Sequence, residues 1–382
     1  MKCKLCNKQF DGFPVFKLEN MPAGAQKFLR KEDIASDRSR ELELYSCPYC
    51  NMVQLVSTPV DYYRDCIRAS GVSEEMAKEK TSYYHQIFEE YNLIDKDVLE
   101  IGCGGGEFLK LIKDAGARAL GLEHKEELVN KAIGLGYNVI KGYPGECEKE
   151  EMKGRFDGFI CSNFLEHAPK PDEFLQGISD MLKENAVGVI EVPNFEMVQK
   201  KMLFTELIID HLLYFTNDTL RQMLELNGFE VVSVKLSWHD YIITAIVRKR
   251  KAARFDGFLQ TKEDLISKLR QFVMDVNADN RRLAVWGASH LALSVIAMSQ
   301  IQDSIAYIVD SAEFKQGLYT PGTHLLVVPP KTLKEEPVDI VLVLATSYNR
   351  EVVSILKHDY PEVDIMVLEG TRLITADELS AI

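Results

Sequence analysis

Residues 98–106 read VLEIGCGGG. An apolar strand runs into Gly102-x-Gly104-x-Gly106, and the helical pattern EFLKLIKDAG follows. Glycines let the backbone turn sharply and let a ligand lie against it without a Cβ clash. The helix start adds free N–H groups. Dinucleotide sites carry a related loop, usually GxGxxG. Here the spacing is GxGxG, with the acid Glu100 two residues ahead of the first glycine. An acid in that place suits a ligand with a cationic amino-acid end, as in S-adenosylmethionine (SAM). About 20 residues on, a second strand ends in GLE, where Glu123 would accept hydrogen bonds from both ribose hydroxyls. A third strand, FDGFICSNFLEH, brings Asn163 to the carboxyl edge of the sheet. These features predict a SAM site built from Glu100, Gly102, Gly104, Gly106, Glu123 and Asn163. A solvated strand end is the alternative for Glu123, and His167 reads as structural.

Outward from this loop, residues 97–250 alternate short apolar runs (DVLEIG, ARALGLE, YNVIKG, FDGFICSN, AVGVIEV, FEVVSVKL, YIITAIVRK) with helical patterns. That alternation predicts a mostly parallel sheet covered by helices on both faces. Residues 61–95 read as helix through Met76, Tyr83, Tyr84, Ile87, Phe88 and Tyr91. From RRLAVWGAS the alternation resumes through SIAYIVD, HLLVV, DIVLVLA and DIMVL. The expected organisation is a zinc-binding module at 1–60, a class I (Rossmann-like) SAM methyltransferase domain with N-terminal helices at 61–250, a helical connector at 251–279, and a second Rossmann-like α/β domain at 280–382. The second α/β unit offers Gly287 and then Ser289-His290 without GxGxxG. It therefore reads as a substrate-holding or packing domain rather than a nicotinamide site.

Four of the eight cysteines form Cys3-x-x-Cys6 and Cys47-x-x-Cys50. Each CxxC turn can place two sulfurs on one tetrahedral ion. The 40 residues between the pairs exceed the usual ribbon spacing, so the intervening loop should pack elsewhere. A shell of four thiolates leaves no open position, which makes the metal structural. The remaining Cys66, Cys103, Cys147 and Cys161 read as small buried hydrophobes.

The chain has 382 residues and a net charge of −13. Nucleic-acid binders usually present basic patches, so this balance weighs against such a partner. No apolar run approaches the roughly 20 residues of a membrane span. The N-terminus MKCKLCNKQF carries no apolar segment behind its lysines, and a cytoplasmic location is expected.

The segment FTELIIDHLLYFTNDTLRQMLELNGFEVV contains Asp210-His211 on an expected loop over the ligand-binding edge. A histidine titrating near neutrality can take a proton from a carbon beside a carbonyl. The alternative is O- or N-methylation, with His211 activating a hydroxyl or amine. A zinc-ribbon nucleic-acid methyltransferase is a further reading.

Taken together, CKLC with CPYCNMVQL, VLEIGCGGG, and VDSAEFKQGLYTPGTHLLVVPP (309–330) resemble the SAM-dependent sugar C-methyltransferases of deoxysugar biosynthesis. The resemblance covers nearly the whole chain. It implies a nucleotide-linked 4-keto sugar as acceptor and a histidine, in a Tyr-x-Glu-His motif, that deprotonates the carbon beside the ketone. Two places depart. The motif reads Ile208-Ile209-Asp210-His211 here, and an expected His-Gly-Gly-Ser stretch reads His239-Asp240-Tyr241-Ile242. The pair carried over is His211 with Asp210.

Overall fold

A computed structural model of the chain describes all residues except 27, 66–71, 147–149 and 382. Cys66 and Cys147 lie outside the described residues, whereas Cys103 and Cys161 are buried as expected. The chain forms two compact units, Met1–Ala252 and Ala253–Ile382.

The first unit opens with strands β1 (Phe16–Met21), β2 (Arg40–Ser46) and β3 (Val53–Leu55). Helix α1 (Glu74–Glu90) follows, and its N-cap Ser73 accepts from the Met76 N–H. Then come β4 (Asp97–Ile101), α2 (Glu107–Asp114), β5 (Arg118–Glu123), α3 (Glu126–Gly134), β6 (Val139–Lys141) and β7 (Phe156–Ser162). Next are α4 (Pro171–Met181), β8 (Leu182–Pro193), α5 (Phe195–Lys200) and β9 (Leu213–Tyr214). The unit closes with α6 (Asn217–Leu226), β10 (Phe229–Ser237) and β11 (Ile242–Lys249).

The main sheet runs in the order β10-β11-β8-β7-β4-β5-β6. Pairs β4/β5, β4/β7, β5/β6 and β7/β8 are parallel, while β11 is antiparallel to both its neighbours. This is the class I methyltransferase order with one reversed strand. Apolar runs such as Val98–Ile101 and Ala186–Val192 are buried because helices cover both faces. On α2, Phe108, Leu109, Leu111 and Ile112 supply the buried stripe. A capping box of Thr216 and Thr219 starts α6, whose Leu220, Met223 and Leu224 turn inward.

A smaller antiparallel sheet, β1-β2-β3-β9, holds the cysteine turns. Its fourth strand comes from far along the chain, with Val53 opposite Tyr214 and Gln54 opposite Leu213.

In the second unit, α7 (Phe258–Ala278) precedes β12 (Leu283–Trp286), α8 (His290–Ser299), β13 (Ile305–Val309) and β14 (Val327–Val328). Then follow α9 (Thr332–Glu335), β15 (Ile340–Val343), α10 (Asn349–Asp359), β16 (Asp364–Glu369), β17 (Arg372–Thr375) and α11 (Ala376–Ala381). The strand order is β14-β13-β12-β15-β16-β17, parallel except for β16/β17. Leu283 and Val285 face the core beneath α7 and α8, and Ala284 and Trp286 face the core beneath α10. Both faces are therefore covered, as the second alternation predicts. Asp310 closes the turn after β12 by accepting from the Ala288 N–H at 2.8 Å and from Lys315 Nζ at 2.9 Å. None of the expected strands carried β17 or the small N-terminal sheet.

Gly177 in α4 packs directly on the turn at Gly145. A Cβ there would lie 1.9 Å from the Gly145 nitrogen, which is backbone and has little room to yield. Alanine gains about 1 kcal/mol over glycine in an open helix. Overpacking costs about 1–3 kcal/mol. Gly177→Ala is therefore expected to lower the melting temperature of the first unit, and a rise in calorimetry would refute the packing argument.

Candidate functional site

The glycine loop is locally determined. Gly102, Gly104 and Gly106 have φ of 66°, 58° and 95°. At Gly102 a Cβ would also fall 2.5 Å from the Phe164 ring. The Gly102 N–H bonds the Leu122 carbonyl at 2.8 Å, which ties the loop to β5. Glu123, at the end of β5, accepts from the Gly104 N–H at 3.0 Å and the Lys125 N–H at 2.8 Å. Its carboxylate is fully buried, so it is not a solvated strand end. Glu100 is buried within β4.

Asn163 follows β7 in a left-handed conformation, φ 49°. Its Oδ1 is buried and finds no hydrogen-bond partner among the described residues. A buried acceptor left unsatisfied costs free energy, so the site is shaped for a donor supplied by a ligand. Asn163 lines a cavity of about 510 Å³ at the carboxyl edge of β7 and β8. Lys80, Glu166, His167, Glu206, His211 and Tyr241 share its wall. The glycine loop, Glu100, Glu123 and Asp210 are not among the residues lining it.

His211 thus reaches the cavity as expected, but Asp210 does not accompany it. Asp210 is buried, and its carboxylate accepts from the Ala25 N–H and the Tyr62 hydroxyl, each at 2.7 Å. The Asp210 carboxylate is thus turned away from the cavity wall that carries His211, because residues adjacent in a turn project in different directions. The ring beside His211 is His167, at 4.8 Å between centroids and 72° between planes. The His167 Nδ1 lies 2.9 Å from the Asp210 carbonyl oxygen. The tautomer with Nδ1–H donating fits that contact and leaves Nε2 as an acceptor. Burial, and then His167, hold the His211 pKa well below its usual value, so the imidazole is neutral at pH 7.

Other wall groups escaped sequence reasoning. Lys80 Nζ lies 2.7 and 2.6 Å from the two carboxylate oxygens of the buried Glu191, which also accepts from Ser162 Oγ at 2.6 Å. The Tyr241 hydroxyl donates to Glu206 at 2.6 Å. Glu166 stood next to His167 in the strand-to-helix stretch already singled out. Lys80 and Glu206 gave no signal and Tyr241 stood only within the departing stretch 239–242, because the tertiary fold alone brings them together.

The cysteine turns are a matched pair. Asn7 N–H bonds the Cys3 carbonyl at 3.0 Å and Asn51 N–H bonds the Cys47 carbonyl at 2.9 Å. Asn7 and Asn51 both take left-handed φ, 61° and 59°. Cys3 Sγ lies 3.5 Å from Cys50 Sγ, and Cys6 Sγ 3.7 Å from Cys47 Sγ. A tetrahedral ion with Zn–S near 2.3 Å requires sulfurs about 3.8 Å apart. The four thiols fit such an ion and form no disulfide.

Comparison with known proteins matches a "Methyltransferase domain" to residues 72–234 and a "C-methyltransferase C-terminal domain" to residues 247–363. The chain is 23% identical to the C-methyltransferase NovU of Streptomyces niveus, over 92% of this chain and 91% of that one. The chain belongs to the SAM-dependent C-methyltransferase family. A shorter match, 33% identical, joins this C-methyltransferase to the ubiquinone biosynthesis O-methyltransferase of Shewanella pealeana, over 24% of this chain and 41% of that enzyme. A solved SAM dependent methyltransferase from Archaeoglobus fulgidus aligns at 22% identity and TM-score 0.37, over 46% of this chain and all of that one. No helix among the described residues of the enzyme is long and apolar enough to cross a membrane.

The geometry gives this C-methyltransferase two expected outcomes. Glu123→Ala should weaken SAM binding by about 1–3 kcal/mol in calorimetry, the cost of leaving buried partners unsatisfied. Unchanged affinity would remove Glu123 from the site. Protein purified without chelator should carry about one zinc per chain. Cys47→Ser should lower both metal content and the stability of the N-terminal sheet, and a metal-free protein of full stability would end the metal reading.

Proposed function

We propose that this C-methyltransferase transfers a methyl group to the carbon beside the ketone of a nucleotide-linked keto-deoxysugar. His211 is the general base. The observation that carries the reading is the neutral imidazole of His211 on the wall of a cavity that Asn163, with its unsatisfied Oδ1, also lines. A base must be unprotonated before it can accept a proton, and burial keeps His211 so across the neutral range. The cavity's size suits a small molecule, and the net charge of −13 argues against a nucleic-acid acceptor. Similarity to NovU along nearly the whole chain supports carbon as the acceptor atom. The sugar and its nucleotide follow from the resemblance of the cysteine, glycine-loop and C-terminal motifs.

SAM, when bound, supplies a methyl group on a sulfonium that is already a good leaving group. The protein's part is to hold and align. Glu100, the three glycines, Glu123 and Asn163 are assigned to the cofactor, and alignment at near-attack distance contributes about 7–11 kcal/mol. A structural zinc on Cys3, Cys6, Cys47 and Cys50 is assigned no step in the reaction. Asp210 acts at one remove, through its carbonyl bond to His167 and its carboxylate bonds to Tyr62 and Ala25.

His211→Asn is expected to leave SAM affinity nearly unchanged and to slow turnover by about 10²–10⁴-fold. It should also stop solvent deuterium from entering the substrate at the carbon beside the ketone. Only carbon methylation needs that enolate. Wild-type turnover in His211→Asn would dismiss the base assignment, and methylation without exchange in the wild type would favour the oxygen or nitrogen alternative.

A further inference from the structure

Glu166 is buried, yet neither carboxyl oxygen has a hydrogen-bond partner among the described residues. It stands in the short 3-10 turn Leu165–His167 that follows β7, and it lines the same cavity as His211. The turn is firmly held. The Glu166 carbonyl accepts from the Leu212 N–H at 2.9 Å, so the backbone of Glu166 is tied to the residue after His211. His167 Nε2 lies 3.9 Å from the Glu166 Oε1, beyond hydrogen-bond range. Nε2 is the ring atom left without a proton by the tautomer inferred above, so it offers the carboxylate no charge.

The groups facing Glu166 are Cys161, His167, His211 and Tyr241, with Glu206 behind Tyr241. None is a cation at neutral pH. Lys80, the cation on this wall, is held by Glu191. An ionised carboxylate without a cation or donors is costly in such surroundings, and a protonated one is far less so. Burial accordingly pushes the Glu166 pKa up to about 8. A neutral carboxyl also suits the chemistry. The sulfonium of SAM loses its positive charge as the methyl leaves, so an anion beside it would favour the reactant over the transition state. A hydrogen-bond donor beside a forming enolate favours the reaction.

We propose that Glu166 is the oxyanion donor of this site, a neutral carboxyl whose O–H hydrogen-bonds the carbonyl oxygen of the acceptor while His211 removes the neighbouring proton. The assignment rests on the ketone reading given above. The C–H bond breaks with its proton going to the His211 imidazole and its electron pair moving through carbon to the carbonyl oxygen. The hydrogen bond from Glu166 strengthens as that oxygen gains charge. The enolate carbon then bonds the methyl, the carbonyl re-forms, the S–CH₃ bond breaks with its pair on sulfur, and the His211 proton passes to water. Glu166 keeps its proton throughout.

The test uses the full-length protein with its metal in place. With ¹³C-labelled glutamate carboxyls followed by NMR, one resonance should titrate near pH 8 and be missing from Glu166→Gln. Exchange of solvent deuterium into a nucleotide-linked 4-keto-6-deoxyhexose is the functional probe. Wild-type exchange should fall above about pH 8, where Glu166 ionises. Glu166→Gln, whose amide still donates, should keep measurable exchange and lose that alkaline fall. Glu166→Ala should exchange about 10²–10³-fold more slowly. The inference is overturned if every glutamate titrates in the acid range, or if a second metal equivalent is bound and then lost in Glu166→Gln. It is equally overturned if the wild type exchanges and both variants match its rate and pH profile. A wild type that methylates without any exchange overturns the ketone reading itself, a separate outcome.

Discussion

The place of His211 at the cavity depends on the pairing of β3 with β9. Strand β9 has two residues and would not hold its place unaided. It is fixed because Val53 and Gln54 bond across to Tyr214 and Leu213, and because the Leu55 N–H reaches the Leu212 carbonyl at 2.9 Å. Just before β3 lies the Cys47–Cys50 turn, and just before β9 lies His211. Gln54 continues the chain of support, since its side chain accepts from the Lys4 N–H and donates to the Lys2 carbonyl, within the other cysteine turn. A metal on the four sulfurs would stiffen both turns at once, and the stiffness would end at His211. That gives a closed, non-catalytic metal shell a reason to accompany this active site.

Two buried glutamates on the cavity side illustrate how surroundings set protonation. Glu191 has Lys80, Ser162 and, at 3.5 Å, Thr244. Such a satisfied buried pair is sensitive to losing one partner, by about 3–5 kcal/mol, and here it pins α1 against β8. Glu166 has no such cation. The same side chain therefore serves as a strut in one place and as a neutral donor in the other. The two roles depend on each other. Because Lys80 is committed to Glu191, it is not available to ionise Glu166.

The cofactor half of the enzyme was legible in the sequence because it is local. Three glycines with positive φ, a strand before them and a helix after them are fixed within a dozen residues. The strands of both α/β units followed from apolar runs for the same reason. The N-terminal sheet escaped because β3 and β9 are short and exist only through long-range pairing. The direction of Asp210 was not legible, because adjacency in a sequence says nothing about direction in a turn. Of its neighbours, Ala25 lies in the long segment between the cysteine pairs, whose docking partner the spacing left open, and Tyr62 lies beyond the second pair.

The departures at Ile208 and Asp240 become intelligible on the same terms. Where the resemblance expects a tyrosine, the backbone of Ile208 instead bonds the Tyr214 hydroxyl, with its N–H at 3.1 Å and its carbonyl at 3.0 Å. That hydroxyl braces the loop and is not free for a substrate. A different hydroxyl faces the cavity, that of Tyr241, carried by the turn between β10 and β11. Trp238, His239 and Asp240 in that turn all take left-handed φ, and Asn194 fixes it by donating to the Asp240 carbonyl at 2.8 Å. Glu206, on the loop before His211, accepts the hydrogen bond of the Tyr241 hydroxyl. A tyrosine and a carboxylate therefore still share the cavity wall with His211, reached along other parts of the chain. The cavity wall is assembled from distant parts of the chain while the glycine loop is local, which is why the methyl donor could be read from the sequence and the acceptor could not.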